Sequence, residues 1–360
     1  LSEATSRPTG RDLGLDAFRG LTVLLMVIVN LQGDAGSAFP VLAHAAWNGL
    51  TLADLVFPWF ILAVGLSTPL AVRAMRSPSF GPVARRVAVL FAIGVALGWL
   101  IRPTLDPNEI RWVGVLQRIA LVYLVCVLVA RFSGGPWIPA GFAVACLAVH
   151  GLAILLVTAP GETAPSLAMG QGFSGWLDQT LVPGRLHRER WDPEGAWSTL
   201  SAIGTGLGGV ALARLKAGRG YAVPGSVALG LIAAGLALTP LVPLNKALWT
   251  ASYALVASGT GLALLLSLGA ATAAGRARPV LGLMVFAGQT ALTVYVVHMV
   301  LIALLVRAPF GETLWSSGFR AIQSLDIPDP IASLIFALLA TAVTLVPIPW
   351  LRRRGWLIRA

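Results

Sequence analysis

The stretch HAAWNGLTLADLVFPWFILAVGLSTPLAV, residues 44 to 72, sets an imidazole, an indole, an amide and a carboxylate directly against an apolar run long enough to cross a bilayer. A soluble loop has no use for the run, and a plain membrane anchor avoids the polar head. An ionised group at membrane depth costs several kcal/mol unless it is paired, so an Asp beside a His there marks a site. His44, Trp47, Asn48 and Asp54 are its first candidate residues.

The remaining sequence agrees with a membrane setting. Of 360 residues 57% are hydrophobic and 11% charged, and the mean hydropathy is +0.81, outside the range of a soluble domain. A helix needs about 20 apolar residues to cross the hydrocarbon layer. Runs of this kind predict an all-α polytopic bundle of about ten spans, near 14 to 31, 50 to 72, 84 to 101, 112 to 131, 137 to 158, 197 to 213, 223 to 241, 248 to 268, 280 to 305 and 331 to 349. The bundle reads as one domain over 1–360, with a tail at 1–13, long connections at 159–196 and 306–330, and a basic tail at 350–360.

With alternating spans, most of the 26 Lys and Arg residues fall on the side that holds both termini. Basic excess marks the cytoplasmic side, which predicts both termini inside and 159–196 outside. The net charge of +11 then reflects topology and anionic headgroups, and argues against a nucleic-acid partner. The first apolar run follows Asp16 and Arg19 with no small-residue cleavage site behind it, so no cleavable signal peptide is expected.

The first span has only nine purely apolar residues, Leu21 to Val29, about 14 Å of helix. Asp16, Arg19 and Asn30 bracket it, which suggests an ion pair beside a water-filled cavity. A neutral imidazole is the commonest general base, and His44, crowded by Asn30, Trp47, Asn48 and Asp54, is the candidate. Arg111, Gln117, Arg118, Asp192, Glu194, Asn245 and Lys246 stand at the outer ends of spans, where they reach one vestibule. Carboxylates at a helix start also serve as caps, so Asp192 and Glu194 have two readings, capping and acceptor binding.

Tyr295 and His298 share one helix face, and His298 is either a packing residue or part of the site. Segment 159–196, dense in charge and indole, reads as a binding loop or a soluble lid. GTGLGG (204 to 209) lies inside a span, where small residues serve close helix packing. No HExxH or paired-Cys pattern appears, so no metal is expected, and Cys126 and Cys146 read as small buried hydrophobes.

LDAFRG (15 to 20), VIVN (27 to 30), HAAWNGLTLADLVFPWF (44 to 60), GVLQRIALVY (114 to 123), WDPEG (191 to 195), PLNKALWTASY (243 to 253) and FAGQTALTVYVVH (286 to 298) follow one another in an order that resembles the heparan-α-glucosaminide N-acetyltransferase family. The resemblance runs from about residue 11 to about 300, and the chain looks like a short, bacterial-type member without the extra N-terminal lumenal portion.

The resemblance implies an acetyl transfer across the membrane, from cytoplasmic acetyl-CoA to an amino sugar on the far side. It places the family's essential His on His44 and its Asn on Asn30, whose amide can donate to the developing oxyanion. It implies cofactor contacts among Arg19, Asp16, Arg73, Arg76, Arg85, Arg86, Gln117 and Arg118. Acceptor contacts fall among Trp47, Asn48, Asp54, Trp191, Asp192, Glu194, Asn245, Lys246 and His298. Direct transfer and an acetyl-imidazole intermediate both stay open, as do an O-acyl acceptor and a homodimer built on small-residue faces. The competing reading is a transporter or flippase of an amphiphilic glycan, which requires discontinuous helices in matching halves.

Overall fold

A computed structural model describes residues 12–34, 36–75, 80–217, 220–275, 279–308 and 311–358. Arg76 and the basic residues Arg7, Arg11, Arg219, Arg276, Arg278 and Arg359 lie outside them. All regular structure among the described residues is helical, apart from one isolated bridge between Arg111 and Gly184.

The long helices are α1 (Leu13–Asn30), α2 (Leu52–Ala74), α3 (Gly81–Ile101), α4 (Val115–Phe132) and α5 (Trp137–Leu156). A short α6 (Gly172–Leu181) precedes α7 (Ala196–Lys216), α8 (Ala222–Leu238) and α9 (Ala251–Ala273). The chain closes with α10 (Pro279–Gln289), α11 (Ala291–Leu305), α12 (Leu314–Gln323), α13 (Asp329–Leu345) and α14 (Pro347–Arg353). Eight helical segments among the described residues are long and apolar enough to cross a membrane, and nine do so if α10 and α11 count as one span; α8 is apolar but shorter. The chain is a multi-pass membrane protein.

The expected spans coincide with these helices within a few residues, with one physical difference. The run expected as one helix over 280 to 305 breaks between Gln289 and Ala291, and its halves meet at 86°. Thr290 at the break returns its hydroxyl to Phe286 O at 3.0 Å, which satisfies one of the carbonyls a break exposes.

Close backbone packing holds the centre. A Cβ on Gly65 of α2 would lie 1.9 Å from Gly206 O of α7, and one on Gly209 would lie 2.5 Å from Leu62 O. GTGLGG therefore serves as a helix contact, as small residues do in membranes. The same device joins α1 to α10, where a Cβ on Gly288 would lie 1.8 Å from Asp16 O. The C-terminus of α1 and the N-termini of α2 and α4 line one cavity together with the loops that precede α7 and α9.

Candidate active site

α2 begins with a capping box: Thr51 Oγ1 accepts from Asp54 N, while Asp54 Oδ2 accepts from Thr51 N at 3.1 Å. Such boxes satisfy the orphan donors of a helix start. Here the box also aims the other carboxylate oxygen outward. Asp54 Oδ1 lies 2.9 Å from His44 Nδ1, and Oδ2 also accepts from Ala45 N at 3.1 Å and Thr51 Oγ1 at 3.0 Å. The Asp54 side chain is 2% exposed and that of His44 is 46% exposed.

An ionised carboxylate on Nδ1 fixes the tautomer with the proton there and leaves Nε2 as the acceptor of a proton. His44, Asp54 and Asn30 line one cavity of about 730 Å³, together with Trp47, Arg111, Trp191, Glu194 and Lys246. Lys246 Nζ stands 3.1 Å from His44 Nδ1, 3.2 Å from Nε2 and 3.8 Å from Asp54 Oδ1. Asn30 Nδ2 lies 3.3 Å from Nε2 of His298, a fully buried residue of α11. An amide carries two N–H donors, so Asn30 keeps one for the cavity.

The far wall comes from segment 159–196. Trp47 donates its indole N–H to Leu167 O at 2.8 Å and meets Trp191 edge to face at 5.1 Å. Arg111 grips Asp192 through Nε at 2.7 Å and Nη2 at 2.5 Å, and Glu194 through Nη2 at 2.6 Å. Asp192 also accepts from the backbone N–H of His187 at 2.7 Å and of Glu194 at 2.9 Å. Burial alone raises the Asp192 carboxyl, but the Arg111 guanidinium and these donors outweigh it and hold it below the usual carboxylate range. All four contacts of Asp192 are internal and its side chain is 0% exposed, so it braces the wall while Glu194 faces the cavity.

Asp178 of α6 accepts from Ala196 N at 2.8 Å and caps α7. Burial pushes its carboxyl up to about 6, against the opposing pull of the Ala196 and Asp192 N–H groups. Burial pushes the Lys246 ammonium down, against the pull of Asp54 and Glu194.

The remaining candidates fall elsewhere. Asn245 is buried and donates to Asn48 Oδ1 at 3.0 Å, so this pair ties two loops together outside the cavity lining. Arg118 is fully buried against Trp249 at 4.9 Å, with bonds to Ser198, Thr199 and Gly195 O. Gln117 is buried against Gly94 and Gly114. These positions join α4 to its neighbours near the His44 end. They stand apart from Arg73 and Arg85, which are exposed at the opposite end. Among the described residues, His298 reaches the site through Asn30.

A second cavity of about 90 Å³ lies deeper, lined by Arg19 of α1, Arg86 of α3, Ser67, Thr68, Tyr123 and Tyr295. Arg86 stacks on Tyr123 at 4.4 Å, and its buried Nε has no hydrogen-bond partner among the described residues. Asp16 is buried in the same helix as Arg19. Met26 lines both cavities. From Arg19 to Asn30 the helix rises about 16 Å.

Sequence reasoning did not anticipate Arg111 as the clamp on Asp192 and Glu194, nor Lys246 against His44. A basic residue three positions before GVLQR was visible, but its partner is 81 residues away. Trp249, next to the site, has φ 53° and buries its indole against Thr205 at 3.0 Å, a left-handed placement that nothing in its neighbours signals.

Residues 11–165 match the family described as heparan-alpha-glucosaminide N-acetyltransferase, catalytic. The chain is 29% identical to the human heparan-alpha-glucosaminide N-acetyltransferase, over 71% of this chain and 48% of that protein. It is 36% identical to the Mus musculus protein of the same name, over 34% of this chain and 19% of that protein. The chain thus spans about half the length of its human relative or less, and the matched region holds Asn30, His44 and Asp54.

Proposed function

We propose that the chain is a member of the heparan-α-glucosaminide N-acetyltransferase family and transfers the acetyl group of acetyl-CoA to the amine of a glucosamine-like sugar. The observation that carries the reading is the His44 to Asp54 contact at the edge of a cavity that also holds Asn30.

Asp54 orients His44 so that Nε2 takes the proton of the attacking amine. Asn30, steadied by His298, donates to the oxyanion that develops on the thioester carbonyl, in the manner of preorganised donors generally. Trp47 and Trp191 offer a pyranose an apolar face, and Glu194 offers its hydroxyls or ammonium an acceptor. Asp192 and Asn245 act behind these groups by holding Arg111 and Asn48.

The donor enters from the opposite, cytoplasmic end. Arg19 and Arg86 bind anionic groups of CoA, with Arg73 and Arg85 further out, since Arg suits phosphate. Met26 lines both cavities, and a thin arm that passes its side chain carries the thioester to Asn30. The transporter reading requires discontinuous helices in both halves, and the described residues contain one bent pair, α10 with α11.

The test is acetyl transfer from radiolabelled acetyl-CoA to glucosamine by purified protein, with His44→Ala beside the wild type. Transfer by wild type and its loss in the variant, with CoA binding kept, is expected. Equal transfer by both proteins removes His44 from the reaction.

A further inference from the structure

The chain holds two lysines, Lys216 and Lys246. Lys246 Nζ stands within 3.2 Å of both ring nitrogens of His44 and lines the cavity that contains Asn30. The loop that carries it is firmly held. Asn245 bonds to Asn48 and to Leu248 N, Gly49 N bonds to Leu244 O at 2.8 Å, and Thr250 Oγ1 bonds to Pro243 O at 2.8 Å. The side chain is 21% exposed, so the amine is accessible from the cavity. Burial favours its neutral, nucleophilic form.

A primary amine beside a general base, where an acyl thioester is delivered to amines, is itself an acyl acceptor. We infer that Lys246 is a self-acetylation site: when donor is bound and no acceptor fills the cavity, its Nζ takes the acetyl group. This rests on the donor reading given above. The Nζ lone pair attacks the thioester carbonyl carbon, and the C–S bond breaks with its electron pair on sulfur. His44 Nε2 takes one proton from Nζ and passes it to the thiolate, so the products are Nζ-acetyl-Lys246 and the free CoA thiol. No further reactant is needed.

The amide is stable, in contrast to an acetyl-imidazole, and it removes the basic amine that faces Asp54 while placing an acetamide beside His44. Modified protein therefore stops transferring. Lys216 is the internal reference. It ends α7, about 30 Å of helix from Ala196, and bonds to Asp12 at 3.3 Å.

The experiment incubates the purified full chain in detergent with isotopically labelled acetyl-CoA, without acceptor, and follows acetyl occupancy of both lysines by peptide mass spectrometry. Transfer to glucosamine is measured on the same preparation, and His44→Gln and Lys246→Arg are run in parallel. Lys246 is expected to be labelled about a hundredfold faster than Lys216, the lower range of general-base assistance. Glucosamine slows the labelling, His44→Gln abolishes it, and the label resists hydroxylamine. Equal rates at the two lysines overturn the inference from wild type alone, even if His44→Gln does not fold, because the donor then acetylates amines without the site. Transfer to glucosamine with Lys246 unlabelled overturns it and leaves the function standing. Neither transfer nor label overturns both.

Discussion

Asp54→Asn separates the role of the carboxylate from its space. In the wild type Oδ2 takes three donors, from Ala45 N, Thr51 N and Thr51 Oγ1, and Oδ1 takes His44 Nδ1. The Asn oxygen stays with the two backbone donors, because leaving both unpaired costs about 1 to 3 kcal/mol each. The Asn nitrogen then faces His44 and can only donate. His44 must present a bare Nδ1 to it, which moves the ring proton to Nε2 and removes the base from the cavity. Reversal of a catalytic tautomer by an Asp to Asn change in a serine-protease triad lowers kcat about 10⁴-fold. Here His44 is half exposed and can rotate, so the expected loss is about 10² to 10⁴-fold, or about 3 to 5 kcal/mol of barrier. The assay is steady-state acetyl transfer to glucosamine, with thermal unfolding in the same detergent to show that the bundle persists. A folded Asp54→Asn protein within about threefold of wild-type kcat refutes the reasoning.

Other expectations follow from the same contacts. Arg111→Gln leaves Asp192 and Glu194 without their guanidinium, and loss of one partner from a buried ion pair costs about 3 to 5 kcal/mol, read as a lowered unfolding temperature together with lost activity. Asp178, raised to about 6 by burial, contributes stability that is full below the ordinary carboxylate range and is lost as pH rises through about 6. Thermal unfolding measured from pH 4 to 7 should show that decline, and Asp178→Asn should flatten it. Trp191→Ala removes one half of the indole pair, worth about 0.5 to 1.5 kcal/mol, and should raise the KM for the amino sugar about three- to tenfold with the KM for acetyl-CoA unchanged. Arg86→Ala should do the reverse, weakening acetyl-CoA about tenfold, which corresponds to about 1.4 kcal/mol.

The spans were legible because apolar runs of about 20 residues obey one strong constraint, that every backbone polar group in lipid be satisfied within its own helix. The break at Thr290 escaped that reading, since VLGLMVFAGQTALTVYVV is apolar on both sides and hydropathy is blind to direction. The helices α6 and α12 escaped it too, as short segments in the long connections. Within the site, His44 and Asp54 are ten residues apart, on the loop that enters α2 and on its first turn, so their association was visible as a crowded stretch. Lys246 reaches His44 across 202 residues and Arg111 reaches Asp192 across 81. Such pairs are fixed by helix packing, which the glycine contacts of α2 with α7 and α1 with α10 set, and no local spacing encodes them. Asp192 shows the converse: its residue type suited acceptor binding, but four internal partners commit it to the wall.

The central claim is that the acetyl group crosses the bilayer, from the Arg19 and Arg86 end to the His44 end. Proteoliposomes test it directly, with labelled acetyl-CoA outside, glucosamine sealed inside, and the acceptor absent from the donor side. Accumulation of N-acetylglucosamine in the lumen, lost in His44→Ala, is the expected result. Product that forms only when donor and acceptor share one side contradicts it.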